Sequence, residues 1–289
     1  MRPPKTAAGE RLSPDAGDRA ARPRAGASFA AVLSSTELVW PTRLWLVRHG
    51  ESAGNVARDI AEAGGFPTID IAERDVDVPL SALGERQARA VGRWFASQPE
   101  SERPGVILTS PYVRAMQTAQ HIIEGGRLGC AALVHVADER LREKEFGCLD
   151  RLTRAGITAK FPDEAKRRAD VGKFYYRPPA GESWCDVILR LRSIFDTIQL
   201  QYREERVLIV AHQVTVLCVR YLLERMTEAQ ILAIDREKDV ANCSVTTYDF
   251  AIDAEGRGGL NLRGYNYVTP IEDAGEPVTK QPDAVVSPR

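Results

Sequence analysis

The amino-acid sequence predicts an α/β fold in one domain. Three observations carry that expectation. Short apolar runs at residues 44–47, 106–108 and 207–211 have the branched and aromatic composition of core strands. The stretches between them space their apolar residues at the helical period. A chain of 289 residues that is 44% apolar is also long enough for one such domain with a large core.

Residues 1–40 carry Pro3, Pro4, Pro14 and Pro23 among small residues and arginines, which reads as a disordered extension. A cleaved signal fits poorly there, because the mildly apolar stretch 25–33 is Ala-rich, begins late and follows Glu10, Asp15 and Asp18. The first strand, Leu44-Trp45-Leu46-Val47, runs into Arg48-His49-Gly50-Glu51, and residues 81–97 follow as a helix. A second strand, Val106-Ile107-Leu108, ends in Thr109-Ser110-Pro111. Pro111 suits the first turn of the helix that spans 113–123 and opens with Arg114. A further helical stripe, Val187-Leu191-Ile194-Ile198, leads to the third strand, which delivers His212 and is followed by a helix over 214–223. Residues 245–250 read as another strand, 253–259 as a turn, and 271–289 as a Pro-rich flexible tail, so the folded domain is expected over 41–270.

In open α/β sheets, ligands collect at the carboxyl ends of the strands. A lone histidine there is ordinarily a packed or surface residue, but two of only four histidines in this chain stand directly behind core strands. Arginine is abundant throughout, so position rather than residue type singles out Arg48 and Arg114. Arg114 sits in a first helical turn, where free N–H groups also favour an anion. Two guanidiniums and two imidazoles at one edge suit a dianionic tetrahedral group, since each guanidinium forks two N–H donors onto phosphate oxygens.

Five ordered blocks resemble the histidine phosphatase superfamily, once grouped with phosphoglycerate mutases. They are 46–52 (LVRHGES) with Asn55, 79–84 with Gln87 and Ala88, 110–119 (SPYVRAMQTA), 141–147 (LREKEFG) and Pro179-Ala180-Gly181-Glu182-Ser183, with Ala211-His212 supplying the matching second histidine. The resemblance spans about residues 43–250. It implies a phosphoglycerate mutase-like fold, a single three-layer domain with a mostly parallel central sheet flanked by helices. It also implies a nucleophile at His49, which would attack phosphorus as the neutral imidazole and form a phosphohistidine. Arg48, Arg114 and His212 resemble the residues that hold the phosphoryl oxygens, and Asn55 adds a side-chain donor. Glu143 resembles the general acid, and Glu145 is the competing assignment. The pKa of Glu143 is expected to rise when a dianion binds beside it.

Two departures stand out. Gln213 follows the second histidine where relatives usually carry glycine, and Cys148-Leu149-Asp150-Arg151 stands where many carry a Glu-Gly pair. Segments 57–78 and 172–177 are the candidates to cap the pocket and choose the substrate, with Arg58, Tyr175, Tyr176 and Arg177 left without a role. The expected activity is a metal-independent phosphomonoesterase for a small phosphorylated metabolite, with no cofactor. A phosphoglycerate mutase-type phosphotransferase and a non-catalytic phospho-ligand-binding regulator are the alternatives.

Charge and cysteine usage bound the partners. A net charge of −1 gives no global field, so nucleic acid is not expected as a partner. No apolar run approaches the length of about twenty residues that spans a bilayer, so no membrane partner is expected. Five scattered cysteines, Cys130, Cys148, Cys185, Cys218 and Cys243, lack paired metal spacing and point to a reducing, cytoplasmic compartment with no metal site. Oligomeric state is not legible.

Overall fold

The computed structural model describes residues 40–128 and 133–280. The described elements run β1 (Arg43–Arg48), α1 (Ala53–Ala63), α2 (Ala82–Ser97), β2 (Val106–Thr109), α3 (Val113–Gly126), β3 (Val134–Ala137), α4 (Arg154–Lys160), α5 (Pro162–Val171), α6 (Trp184–Gln201), β4 (Arg206–Ala211), α7 (Gln213–Leu223), α8 (Glu228–Glu237), β5 (Val245–Ile252), β6 (Gly258–Tyr267) and α9 (Thr269–Glu272). The six strands form one sheet in the order β3-β2-β4-β1-β5-β6. β1, β2, β3 and β4 pair in parallel, while β5 and β6 pair antiparallel at the other side.

Side chains alternate across a strand, and that alternation builds the three layers. Leu44 and Leu46 of β1, Val106 and Leu108 of β2, and Val207 and Ile209 of β4 face one way, against Val187, Leu191 and Ile194 of α6 and Val214 and Leu217 of α7. Trp45, Val47, Ile107, Leu208 and Val210 face the other way, against Val91 and Phe95 of α2 and Ala115, Ala119 and Ile122 of α3. Strands covered on both faces read as unbroken apolar runs, which is why β1, β2 and β4 were visible in the sequence.

Parallel pairing puts the carboxyl ends of β1, β2 and β4 side by side. Arg48 lies level with Ala211, and Thr109 with Val210, so the residues just past the strands meet. His49 N donates to Ala211 O at 2.8 Å and Ser110 N donates to Val210 O at 3.0 Å, which extends the ladder one step beyond the strands.

The expected tail boundary at 271 falls inside packed structure. Ile271 is fully buried, and Val278 packs on the cluster formed with α2 and α3. Arg86 pairs with Glu276 at 2.8 Å, and Gln87 donates to Pro277 O at 2.8 Å. Two apolar anchors and these polar contacts hold a segment whose composition alone looked mobile. The expectations for residues 1–39, Cys130 and residues 281–289 lie outside the described residues.

Candidate active site

His49 is fixed by its own loop. Its Nδ1 lies 2.7 Å from Gly50 O, and a carbonyl only accepts, so Nδ1 carries the proton and Nε2 keeps the lone pair. The loop around it is pinned from three sides. Asn242 donates to His49 O at 3.0 Å, Gly50 N to Thr118 Oγ1 at 3.0 Å, and Glu51 N to Gln87 Oε1 at 3.0 Å. Helix α2 reaches this loop because Gly84 has no side chain, for a Cβ there would collide with Glu51 O.

Arg48, His49, Asn55, Arg114, Glu143 and Gln213 line one cavity. The fully buried His212 stands next to His49, with ring centroids 5.2 Å apart. His212 Nε2 lies 2.7 Å from Ser110 Oγ, at the end of β2. Its Nδ1 is buried without a hydrogen-bond partner among the described residues and lies 3.8 Å from Glu143 Oε2. With the Ser110 hydroxyl donating to Nε2, a neutral His212 carries its proton on Nδ1, on the side of Glu143. Both imidazoles are held well below their ordinary value of 6.5, first by burial and then by positive neighbours, chiefly Arg114. They are neutral at pH 7, as a nucleophile must be.

Arg48 donates through Nη1 to Gln213 Oε1 at 2.8 Å and to Val240 O. Gln213, the residue that departs from glycine, thus bears on Arg48, and its amide nitrogen lies 3.4 Å from Asp239 Oδ1. Arg114 is 5% exposed and stacks 4.9 Å from the Tyr112 ring. Asp75 meets it from the 57–78 segment, with Oδ1 3.0 Å from Nη1 and Oδ2 3.2 Å from Nη2. Asn55 turns its oxygen toward Ser52 N at 2.9 Å in the cap of α1, which leaves its N–H groups as the end available to a ligand. Helices α3 and α7 both start at this edge without a side-chain cap, so their first N–H groups add to its preference for an anion.

The two carboxylates are placed differently. Glu143 is buried, accepts from Lys144 N at 2.8 Å through one oxygen and turns the other toward His212. Glu145 accepts from the Tyr112 hydroxyl at 2.9 Å and does not line the cavity. Behind Glu143, Arg190 donates to Glu143 O at 3.2 Å and to Glu182 at 3.0 and 3.1 Å. Glu182 also receives Arg142 at 2.7 Å and Glu145 N at 3.1 Å. The Gly181-Glu182-Ser183 block therefore braces the glutamate segment. Gly147 completes the brace, because its φ of +55° and its contact with Pro179 O admit no side chain.

The 57–78 segment caps the cavity through Arg58, Ile69, Ile71, Glu73, Asp75 and Val78. The 172–177 segment does not reach it. Phe174 and Tyr176 are buried away from the cavity, and Arg177 pairs with Asp186 at the start of α6. Ser110, Asp75 and Glu182 carry contacts that the sequence did not assign to them.

Among the described residues no group of three or more His, Cys, Asp or Glu is placed to hold a metal ion. No helix among them is long and apolar enough to cross a membrane.

Comparison with known proteins gives this geometry its context. The model of the histidine phosphatase superfamily, branch 1, matches residues 44–257. The 6-phosphofructo-2-kinase/fructose-2,6-bisphosphatase of Caenorhabditis elegans is 33% identical over 181 residues, which is 62% of this chain and 33% of that protein. A phosphoglycerate mutase-like protein of Arabidopsis thaliana is 26% identical over 234 residues, covering 74% of this chain and 76% of the relative. This chain thus spans about a third of the length of the two-activity relative. Among solved structures, a mycobacterial glucosyl-3-phosphoglycerate phosphatase in complex with vanadate superposes with a TM-score of 0.58 at 26% identity, over 78% of this chain and 99% of that one. Bacillus stearothermophilus YhfR superposes with a TM-score of 0.58 at 27% identity, over 77% and 96% of the two chains. With a family match over residues 44–257, which takes in both strand-end histidines, the chain belongs to the histidine phosphatase superfamily, branch 1.

Proposed function

We propose that this protein is a metal-independent phosphomonoesterase that acts on a small phosphorylated metabolite through a phosphohistidine. The observation that carries this reading is the fixed tautomer of His49, which leaves Nε2 as a nucleophile in a cavity lined by two guanidiniums. Nε2 attacks phosphorus as the ester P–O bond breaks, and the departing alkoxide takes a proton from Glu143. Water then attacks the phosphohistidine, Glu143 accepts its proton, and the P–N bond breaks to release phosphate. Arg48, Arg114, the Nδ1–H of His212 and the N–H groups of Asn55 hold the equatorial oxygens. Approach of the dianion favours the protonated form of Glu143, which is the form the first step needs.

Names among the relatives, fructose-2,6-bisphosphatase and glucosyl-3-phosphoglycerate phosphatase, support a phosphorylated sugar or sugar acid as the kind of substrate. The thiols of Cys148, Cys185 and Cys243 support a reducing, cytoplasmic setting. The folded unit of the phosphatase is read as residues 40–280.

The test uses substrate labelled in its phosphoryl group, chelator in the buffer and a rapid denaturing quench. Wild type is expected to trap an acid-labile phosphoenzyme, and His49→Ala to trap none while binding vanadate. Equal labelling of both overturns the assignment of His49. A trapped phosphoenzyme that passes its phosphoryl group to glycerates faster than to water identifies a mutase instead. Binding of vanadate with no turnover of any phosphomonoester identifies a regulator.

A further inference from the structure

The cavity has an inner end and an outer chamber. The inner end holds His49, Arg48, Arg114 and Glu143, and the chamber beyond it receives whatever the phosphate is attached to. That chamber has an apolar part, Ile69, Ile71, Val78 and Phe146, and a charged part. The charged part sets three carboxylates, Glu73, Asp75 and Asp150, against two guanidiniums, Arg58 and Arg151. Arg151 is directed away from a ligand, because it donates to Ile71 O at 3.1 Å and to Glu73 O at 2.5 Å and so holds the capping segment. Its Nε is also 3.9 Å from Asp150 Oδ2. Asp75 stands at the junction of the two halves, against Arg114. The carboxyl of Asp150, whose side chain is 44% exposed, is raised by partial desolvation and then by the charge of Asp75, so the two carboxylates stand close enough to feel each other.

A phosphate dianion balances Arg48 and Arg114, which leaves nothing at the inner end to offset a second anion. A carboxylate or phosphate on the leaving group would face Glu73, Asp75 and Asp150, which outnumber Arg58 on that wall, the side chains of Asp75 and Asp150 being 40% and 44% exposed. Hydroxyl groups face them as donors, and the C–H faces of a carbon chain or ring meet Phe146 and the aliphatic side chains. We propose that the chamber takes an uncharged, hydroxyl-bearing leaving group and turns away one carrying a second anion, with Asp75 and Asp150 as the residues that discriminate. This rests on the phosphatase reading above and narrows its substrate class to monophosphates of neutral polyols or sugars.

The test measures inhibition constants against hydrolysis of an aryl phosphate by the full chain, so it does not depend on turnover of the inhibitors. Two matched pairs isolate the second charge: glycerol 3-phosphate with 3-phosphoglycerate, and glucose 6-phosphate with glucose 1,6-bisphosphate. The uncharged-leaving-group member of each pair is expected to bind about tenfold more tightly, the order of penalty that two partly exposed carboxylates lining the same cavity impose. Asp150→Asn and Asp75→Asn together are expected to shrink that ratio to about threefold or less. Equal constants within each pair in the wild type, or tighter binding of the doubly anionic member, overturn the inference and make Arg58 and Arg151 an anion clamp. A ratio that survives both substitutions overturns the roles of Asp75 and Asp150. The aryl phosphate separates the two levels, since hydrolysis that is absent or independent of His49 removes the phosphatase reading itself.

Discussion

Glu182→Gln is expected to destabilise the fold and, through it, the placement of Glu143. Glu182 is the counter-charge of Arg190, whose side chain is 10% exposed, while that of Glu182 is 12% exposed. The substitution keeps the shape, removes the charge and sets an amide nitrogen against guanidinium donors. Removing one partner of a buried pair costs about 3–5 kcal/mol. Arg190 keeps the carbonyls of Arg140 at 2.7 Å and Glu143 at 3.2 Å, which lowers the cost, and Arg142 is 32% exposed and adds little. A loss of about 2–3 kcal/mol remains, or roughly 5–10 °C in Tm for a domain of this size. Urea and thermal unfolding of the wild type, Glu182→Gln, Arg190→Met and the double variant measure the pair directly. The double variant is expected to lose at least about 1 kcal/mol less than the sum of the singles. A single-variant loss below about 0.5 kcal/mol, the size of an ordinary surface change, refutes the brace.

Glu143→Gln is expected to slow esters with poor leaving groups by about a hundredfold and aryl phosphates far less, since only the former need a proton at departure; equal slowing in a leaving-group series rules out Glu143 as the acid. Stability is expected to fall as pH drops from 7 to 5.5, because the unfolded chain protonates His49 and His212 near 6.5 while the fold holds both neutral. The unfolded state then binds more protons, so the slope is positive, up to about 1.4 kcal/mol per pH unit for each histidine. Urea titrations at several pH values check this, and a slope unchanged in His49→Asn would place the titrating groups elsewhere.

Legibility in the sequence followed from how local each signal was. β1, β2 and β4 are apolar throughout because helices cover both faces, and their histidine and arginine endings marked the edge. β3 is four exposed residues at the edge of the sheet, and β6 is rich in Gly and Asn, so neither produced a strand pattern. His49, Arg48, Arg114, His212 and Glu143 were named from motifs, and the structure gathers all five. Their supporting contacts were not legible, for each joins residues far apart in the chain. Asp75 meets Arg114 from 39 positions away, and Ser110 meets His212 from 102. Residues 172–177 misled for a related reason. Their aromatic content looks like a binding surface, yet Phe174 and Tyr176 are spent on packing.

The packed segment after β6 separates the unit of ancestry from the unit of folding. The family match stops at residue 257, before β6 begins. Thr279 closes a relay, accepting from Gln87 at 3.1 Å and donating to Asn242 at 3.0 Å, and those two side chains grip Glu51 N and His49 O. The loop that carries the nucleophile is therefore moored to chain more than two hundred positions downstream and beyond the shared motif set. Divergence in that late stretch can retune the reaction centre without altering one residue that touches phosphate, and a fragment trimmed to the recognisable homology would retain every catalytic side chain on a loosened mount.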